Sequence, residues 1–286
     1  MSSHAYRLEL PPTATTCAVF ASPHSGRNYP RAFVDASTLD PLALRSSEDA
    51  HLDLLVADAP GLGAPLLCAL APRAYVDLNR SADELDPALI EGVRRTMPNP
   101  RISSGLGVIP RVVANGRPIY QGKIPLSEAE RRLKDVWRPY HSALQRLMQD
   151  QHRRFGRTIL FDMHSMPHEA IQGVAARGRP APEVVLGDRF GSSASREVTE
   201  AVEAAFAAAG LRSARNTPFA GAYVTQAYGR PARGQHVIQI EIDRSLYMNE
   251  STLELSPGFA AFQRVMRQIL SDLAAIGRDS LPLAAE

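Results

Sequence analysis

Thr158-Ile-Leu-Phe-Asp-Met-His164-Ser-Met-Pro167 is the stretch from which the rest of the chain is read. Three apolar residues, Ile159, Leu160 and Phe161, run without alternation, the pattern of a strand covered on both faces in the middle of an α/β sheet. Pro167 cannot donate to a sheet ladder and marks the end of the extended run. Asp162 and His164 are two apart near the carboxyl end of this strand, so their side chains point the same way. Ligand sites of open α/β sheets lie in the crevice at those strand ends. Two further polar clusters stand in comparable settings. One is Ser22-Pro-His24-Ser-Gly26, after the apolar run Cys17 to Ala21; the other is Gln239-Ile-Glu241-Ile-Asp243-Arg244, inside a strand-like alternation.

Working outward, strands alternate with helices. Residues 1–16 read as a lead-in, Cys17–Ala21 as the first strand, and Pro65–Leu70 and Ala74–Asp77 as two more. Asp40-Pro41 and Asp86-Pro87 pair a capping aspartate with a first-turn proline, which predicts helices from Pro41 and over Pro87 to about Thr96. Glu48–Ala59 carries a helical spacing at Leu52, Leu55 and Val56. Residues 97–124 lack a period; a loop that long in a compact domain suggests a cover over a site, with a small hairpin turning at Asn115-Gly116. Ser127 to Glu130 matches a capping box, and the helix it opens runs to about Arg154, kinked or broken at Pro139. Strands at Glu183–Gly187, Leu211–Asn216 and His236–Ile242 follow, with a helix from Ser195 to Ala209 and a last one opened by Ser256-Pro257. The expectation is one α/β domain over residues 1–286, with a mixed, mostly parallel sheet.

Composition narrows the function. A net charge near +2 gives no bulk drive toward nucleic acid, and no run of eighteen or more apolar residues or signal peptide is present. A soluble cytoplasmic protein without nucleic-acid or membrane partners is expected, and subunit number leaves no trace in the sequence. Cys17 and Cys68 both lie in apolar runs and read as buried free thiols. No Gly-x-Ser-x-Gly elbow, phosphate loop, dinucleotide fingerprint or His-Glu-x-x-His helix occurs, so a metal site must be assembled from distant segments.

His24 and His164, each closing a strand, are the candidate imidazole ligands; the competing reading is a structural hydrogen bond in a loop. A carboxylate should complete the set, since two histidines and an acid plus water is one pattern of catalytic zinc. Glu48-Asp49-Ala-His51-Leu-Asp53 offers it: Asp49 is favoured, with Glu48 the alternative, while His51 and Asp53 orient the ligand or cap a helix. Asp162 is a candidate acceptor for the second nitrogen of His164. On the strand at 238–242 the isoleucines take one face and Gln239, Glu241 and Asp243 the other. Buried unpaired acids are costly, so that face is wet, paired or part of a site, and Glu241 is the candidate general base. Arg80, Arg244 and Arg111, together with Asn79, form a set suited to an anionic substrate such as an acyl amino acid. The pattern is that of a metal-dependent hydrolase.

With these residues in place, the chain resembles the N-formylglutamate amidohydrolases. The resemblance rests on SPHSG at 22–26, SEDAHLD at 47–53, YVDLNR at 75–80, GLGVIPR at 105–111, DMHSMP at 162–167, PFAGAYVTQAYG at 218–229 and QIEIDRSLYM at 239–248, and it covers about residues 17 to 277. It implies a three-layer phosphorylase/hydrolase-like α/β fold, akin to zinc carboxypeptidases and cell-wall amidases. It implies zinc, or another divalent transition metal, on His24, Asp49 and His164, with Glu241 as base and proton shuttle. Arg80 and Arg244 would take the substrate carboxylates. The implied reaction is hydrolysis of N-formyl-L-glutamate to formate and L-glutamate in histidine degradation. The alternatives are an amidase or deacylase for another N-acyl amino acid or small peptide, and a non-catalytic small-molecule-binding protein of the same fold.

Overall fold

A computed structural model describes residues 5–94, 99–173 and 180–278. Seven strands form one sheet: β1 (Tyr6–Glu9), β2 (Ala18–Ser22), β3 (Leu66–Ala69), β4 (Thr158–Met166), β5 (Val184–Gly187), β6 (Ser213–Arg215) and β7 (Gln235–Asp243), in the order β1-β3-β2-β4-β7-β5-β6. β2, β4 and β7 run parallel side by side, β5 is antiparallel to β7, and β6 is parallel to β5. The fold is therefore α/β with a mixed sheet, as expected. All nine residues of β4 are buried, which is why its apolar run shows no alternation.

The described residues group into two compact units. Of those residues, one takes the ones within 5–7, 23–50 and 68–143, and the other the ones within 8–22, 51–67 and 144–278. The second unit contains most of the sheet. Its helix Phe259–Arg278 buries Phe262, Met266, Ile269, Leu270 and Leu273 on one stripe, and packs on β2 and on the helix Arg196–Ala208. Ser195 caps the latter helix by accepting a hydrogen bond from Val198 N–H, and Gly210, at φ +82°, ends it.

The first unit is built largely from turns. Arg132 lies at its centre, its guanidinium 4.2 Å from the Tyr75 ring centroid and its Nε 2.7 Å from Glu128 Oε1. Asp40 does cap the short helix Pro41–Arg45 through Ala43 N–H. Several expectations fail here. Ala74–Asp77 is not a strand: Tyr75 and Val76 N–H both bond Pro72 O, closing a turn. Pro87–Arg94 holds turns, not a helix; the remainder of that expected helix and the start of the 97–124 segment lie outside the described residues. The capping box at Ser127 does not form, because the helix Leu126–Arg132 starts two residues earlier than that box requires, after Pro125, and leaves Ser127 inside its first turn. The chain then passes through a π-helical stretch, Leu133–Trp137, into the helix Arg138–Phe155. Arg138 N–H bonds Leu133 O, five residues back, so the register shifts immediately before Pro139, which has no N–H to give. The lead-in contains an unforeseen edge strand, β1.

Candidate metal centre and active site

β2 ends at Ser22, and the first unit takes up the chain at the turn Pro23-His24-Ser25-Gly26. A Cβ on Gly26 would lie 2.1 Å from Ala71 O, so only glycine permits this close passage of the loop. His24 is almost wholly buried, with Nε2 2.8 Å from Asp77 Oδ1 and Nδ1 3.6 Å from Asp49 Oδ2. The Nε2 contact to a carboxylate sets the tautomer: Nε2 carries the proton, and the Nδ1 lone pair faces Asp49. Asp49 is held alongside by its own N–H, which donates to His24 O at 3.0 Å.

Asp77 also accepts from Asn79 N at 2.8 Å and from Arg73 Nε at 3.1 Å. Burial alone would raise its pKa; the charges of Arg73 and Arg80, with the hydrogen bond from His24, outweigh it and hold the carboxyl well below the usual range. The glycine-rich segment braces this turn, since Asp77 N–H bonds Val108 O at 2.8 Å and Arg80 Nε bonds Leu106 O at 3.0 Å. Arg80 also donates to Asn79 O, at 2.8 Å, and burial lowers its pKa. It meets no carboxylate directly among the described residues, leaving guanidinium donors for an anion.

Glu48, the alternative acid, is committed elsewhere. Tyr29 Oη donates to its Oε1 at 2.5 Å, and Arg45 clamps both oxygens at 3.1–3.3 Å. Burial first, then Glu48, push the Tyr29 pKa far up, so the phenol stays a donor. Arg111 is paired with Asp86 at 2.9 Å, so its charge is already met within the first unit.

In the second unit, β4 and β7 align His164 with Glu241 and Asp162 with Gln239. In-register neighbours on parallel strands share a face, so the imidazole and the carboxylate lie side by side. Asp162 Oδ2 is 2.9 Å from His164 Nε2, a close charge contact not aligned as a hydrogen bond. Glu241 Oε1 accepts from Gln239 Nε2 at 2.8 Å. Arg244 is buried, donating through Nε to Ser165 Oγ at 3.2 Å and through Nη2 to Ser165 O at 3.3 Å. His51 serves the backbone instead. At φ +63°, its Nε2 lies 2.8 Å from Leu253 O, which ties two segments of main chain together. Asp53 is buried in the turn Leu52–Leu55.

Two participants escaped the sequence reading. Asp77 was placed only as a strand residue beside Asn79, although a lone acid inside the buried run Ala74–Leu78 was a usable signal. His168, just beyond β4, pairs its Nδ1 with Asp243 Oδ2 at 2.8 Å; that hydrogen bond and charge raise its pKa.

One ligand atom from each of His24, Asp49 and His164 lies within 4.8 Å of the other two, and all three residues are buried. Two imidazoles and a carboxylate form a donor set that suits zinc and leaves a coordination position open. The Asp77 contact supplies the acceptor that metal-bound imidazoles usually have behind them.

The chain is similar to known proteins over nearly its whole length. Residues 16–248 match the family model described as N-formylglutamate amidohydrolase. The N-formylglutamate deformylase of Pseudomonas aeruginosa is 30% identical over 91% of this chain and 94% of its own length; that of Pseudomonas putida is 30% identical over 98% and 97%. The crystal structure of N-formylglutamate amidohydrolase from Ralstonia eutropha JMP134 superposes with a TM-score of 0.90 and 36% identity, over 97% of this chain and 100% of that one. The product of Atu2144 from Agrobacterium tumefaciens shares the fold alone, at a TM-score of 0.64 and 17% identity over 95% and 96%. The family match over most of the chain, with relatives covered nearly end to end, establishes that this chain belongs to the N-formylglutamate amidohydrolase family.

Proposed function

We propose that the chain is a zinc-dependent amidohydrolase that cleaves N-formyl-L-glutamate to formate and L-glutamate, on a three-layer phosphorylase/hydrolase-like fold. The observation that carries this reading is the buried His24, Asp49 and His164 cluster, with Glu241 in register beside His164. The activities named for the two Pseudomonas relatives support the choice of substrate.

His24, Asp49 and His164 would hold the ion, with Asp77 fixing the ring of His24 and Asp162 flanking that of His164. Zinc bound there supplies Lewis acidity toward the formyl carbonyl and toward water. Glu241 takes the proton from the attacking water and returns it to the departing nitrogen as the C–N bond breaks. Arg80 and Arg244 receive the two substrate carboxylates; both guanidinium groups are held by main-chain carbonyls, so little side-chain freedom is lost on binding. Asn79 helps hold the substrate or polarise its carbonyl.

The test is formate release from N-formyl-L-glutamate before and after chelation, with metal content measured alongside and a panel of N-acyl amino acids as competitors. Activity should vanish on chelation and return with zinc at about one ion per chain. Full turnover by demonstrably metal-free protein would refute the metal-dependent reading. A stronger preference for another acyl group would replace the substrate and keep the chemistry.

A further inference from the structure

Gln239 lies on β7 two residues before Glu241, facing the same way. It is buried and bonded on both sides: Ala222 N–H donates to its Oε1 at 3.1 Å, and its Nε2 donates to Glu241 Oε1 at 2.8 Å. The orientation of a glutamine amide is read from its partners. A backbone N–H can only donate, so the amide oxygen must face Ala222 and the NH2 must face Glu241. Oε1 of Glu241 is thereby committed as an acceptor to Gln239 and made the less basic of the two oxygens, which favours Oε2 as the proton site.

The placement of Ala222 is itself enforced. Gly187 on β5 pairs with Gln239 across the antiparallel ladder, and the 219–221 segment passes directly over it. A Cβ at Gly187 would lie 2.7 Å from Gly221 N and 2.8 Å from Ala220 C. Arg189 N–H anchors the same segment by bonding Ala220 O at 2.8 Å. A bare glycine on one strand thus lets a loop deliver a single N–H to the glutamine on the next.

We infer that Gln239 is the positioning residue of Glu241, reserving Oε1 as an acceptor so that the proton passes through Oε2. The inference rests on the reading of Glu241 as base. In the step it describes, Oε2 takes a proton from water as the water oxygen bonds to the formyl carbon. Oε2–H then gives that proton to the nitrogen as the C–N bond breaks, and Oε1 stays bonded to Gln239 throughout.

The experiment uses the full chain loaded with zinc, N-formyl-L-glutamate as substrate, and the variants Gln239→Glu, Gln239→Leu and Glu241→Gln. Gln239→Glu keeps an acceptor for Ala222 but sets a second carboxyl against Glu241, where the pair shares one proton and Glu241 is no longer an independent base; Gln239→Leu loses both bonds. Both variants should lower kcat by about 10- to 100-fold, the worth of one hydrogen bond to a charged group, with KM within about twofold and zinc content unchanged. Amide exchange at Ala222, measured without substrate, should be slow in wild type and in Gln239→Glu, and at least about tenfold faster in Gln239→Leu. A merely structural glutamine predicts that Gln239→Leu loses zinc content and raises KM along with kcat as the loop opens, instead of losing kcat alone. Wild-type kcat in Gln239→Leu beside an inactive Glu241→Gln overturns this inference alone. Wild-type kcat in Glu241→Gln overturns the base reading and this inference with it. An Ala222 amide that exchanges as fast as an exposed one in the wild-type protein overturns the inference whatever the variants do.

Discussion

The substitution Asp77→Asn tests the metal reading at a residue that never touches the ion. Asp77 receives three donors: His24 Nε2 and Asn79 N on Oδ1, and Arg73 Nε on Oδ2. An asparagine offers one oxygen for these donors, and its NH2 must oppose either Arg73 or His24. If it opposes Arg73, that pair is lost together with the negative charge behind the imidazole. If it opposes His24, Nε2 must become the acceptor, and the proton moves to Nδ1, the nitrogen 3.6 Å from Asp49 Oδ2. Either way the ligand weakens. Loss of a charge-assisted hydrogen bond costs about 1.5–3 kcal/mol. Removing the group behind a metal-bound histidine costs about 10- to 100-fold in affinity, or about 1.4–2.7 kcal/mol, so the two routes agree. Zinc competition against a chromophoric chelator at pH 7.5 reads the change directly, with circular dichroism confirming that the variant is folded. A folded Asp77→Asn protein that binds zinc within twofold of wild type would refute the assignment of His24 Nδ1 as a ligand.

Two stability predictions are independent of zinc. His141 is buried, with Nε2 2.9 Å from Leu78 O, and burial pushes its pKa down to about 4. An unfolded histidine titrates near 6.5, so as pH falls the unfolded chain takes up this proton first. The neutral histidine's contribution is intact above about pH 6.5 and erodes toward pH 4; between pH 7.5 and 5 the loss is about 2 kcal/mol. Urea unfolding at the two pH values should show His141→Gln losing less than wild type on acidification, and equal losses would count against the assignment. Gly187→Ala should destabilise by about 1–3 kcal/mol through the clash with the 219–221 backbone. Gly122→Ala, with no atom within 4 Å of the added Cβ, should leave the melting temperature unchanged, so equal melting temperatures for the two variants would contradict the clash.

Elements were legible where a local pattern had a local cause. β2, β4 and β5 announce themselves through buried apolar runs, β7 through its alternation of isoleucines with polar residues, and the helix Phe259–Arg278 through its stripe. Residues 74–77 carry the same apolar signal for another reason. They fill a buried turn closed by Pro72 O and Val108 O, and nothing in their composition tells a packed turn from a packed strand. The start of the helix at Leu126 was misplaced because the chain is already helical after Pro125, which leaves Ser127 too late in the turn to cap it. β1 was missed because an edge strand with half-exposed residues shows no hydrophobic period.

The site divides in the same way. His24, His164 and Glu241 were visible because each sits in or after a strand whose burial makes a polar residue conspicuous. Their supports were not visible, because hydrogen-bond partners are chosen in three dimensions. Asp77 is 53 residues from His24, and the amide of Gln239 is turned by an N–H 17 residues before it. The two adjacent acids show the limit most sharply. Glu48 and Asp49 have the same charge and nearly the same sequence environment, and chain order cannot separate them. Packing does. The longer Glu48 side chain reaches Tyr29 and Arg45 and is neutralised there, while Asp49, bonded through its backbone to His24 O, has its carboxylate drawn beside the imidazole. Because Arg45 and Tyr29 already satisfy Glu48, turning it toward the cluster would break those bonds and strand a half-buried guanidinium. Asp49 needs no such exchange, since its carboxylate already stands beside His24. The choice of acid therefore follows from which carboxylate the fold has committed to a cation, a property of the packing around residue 48 rather than of either residue.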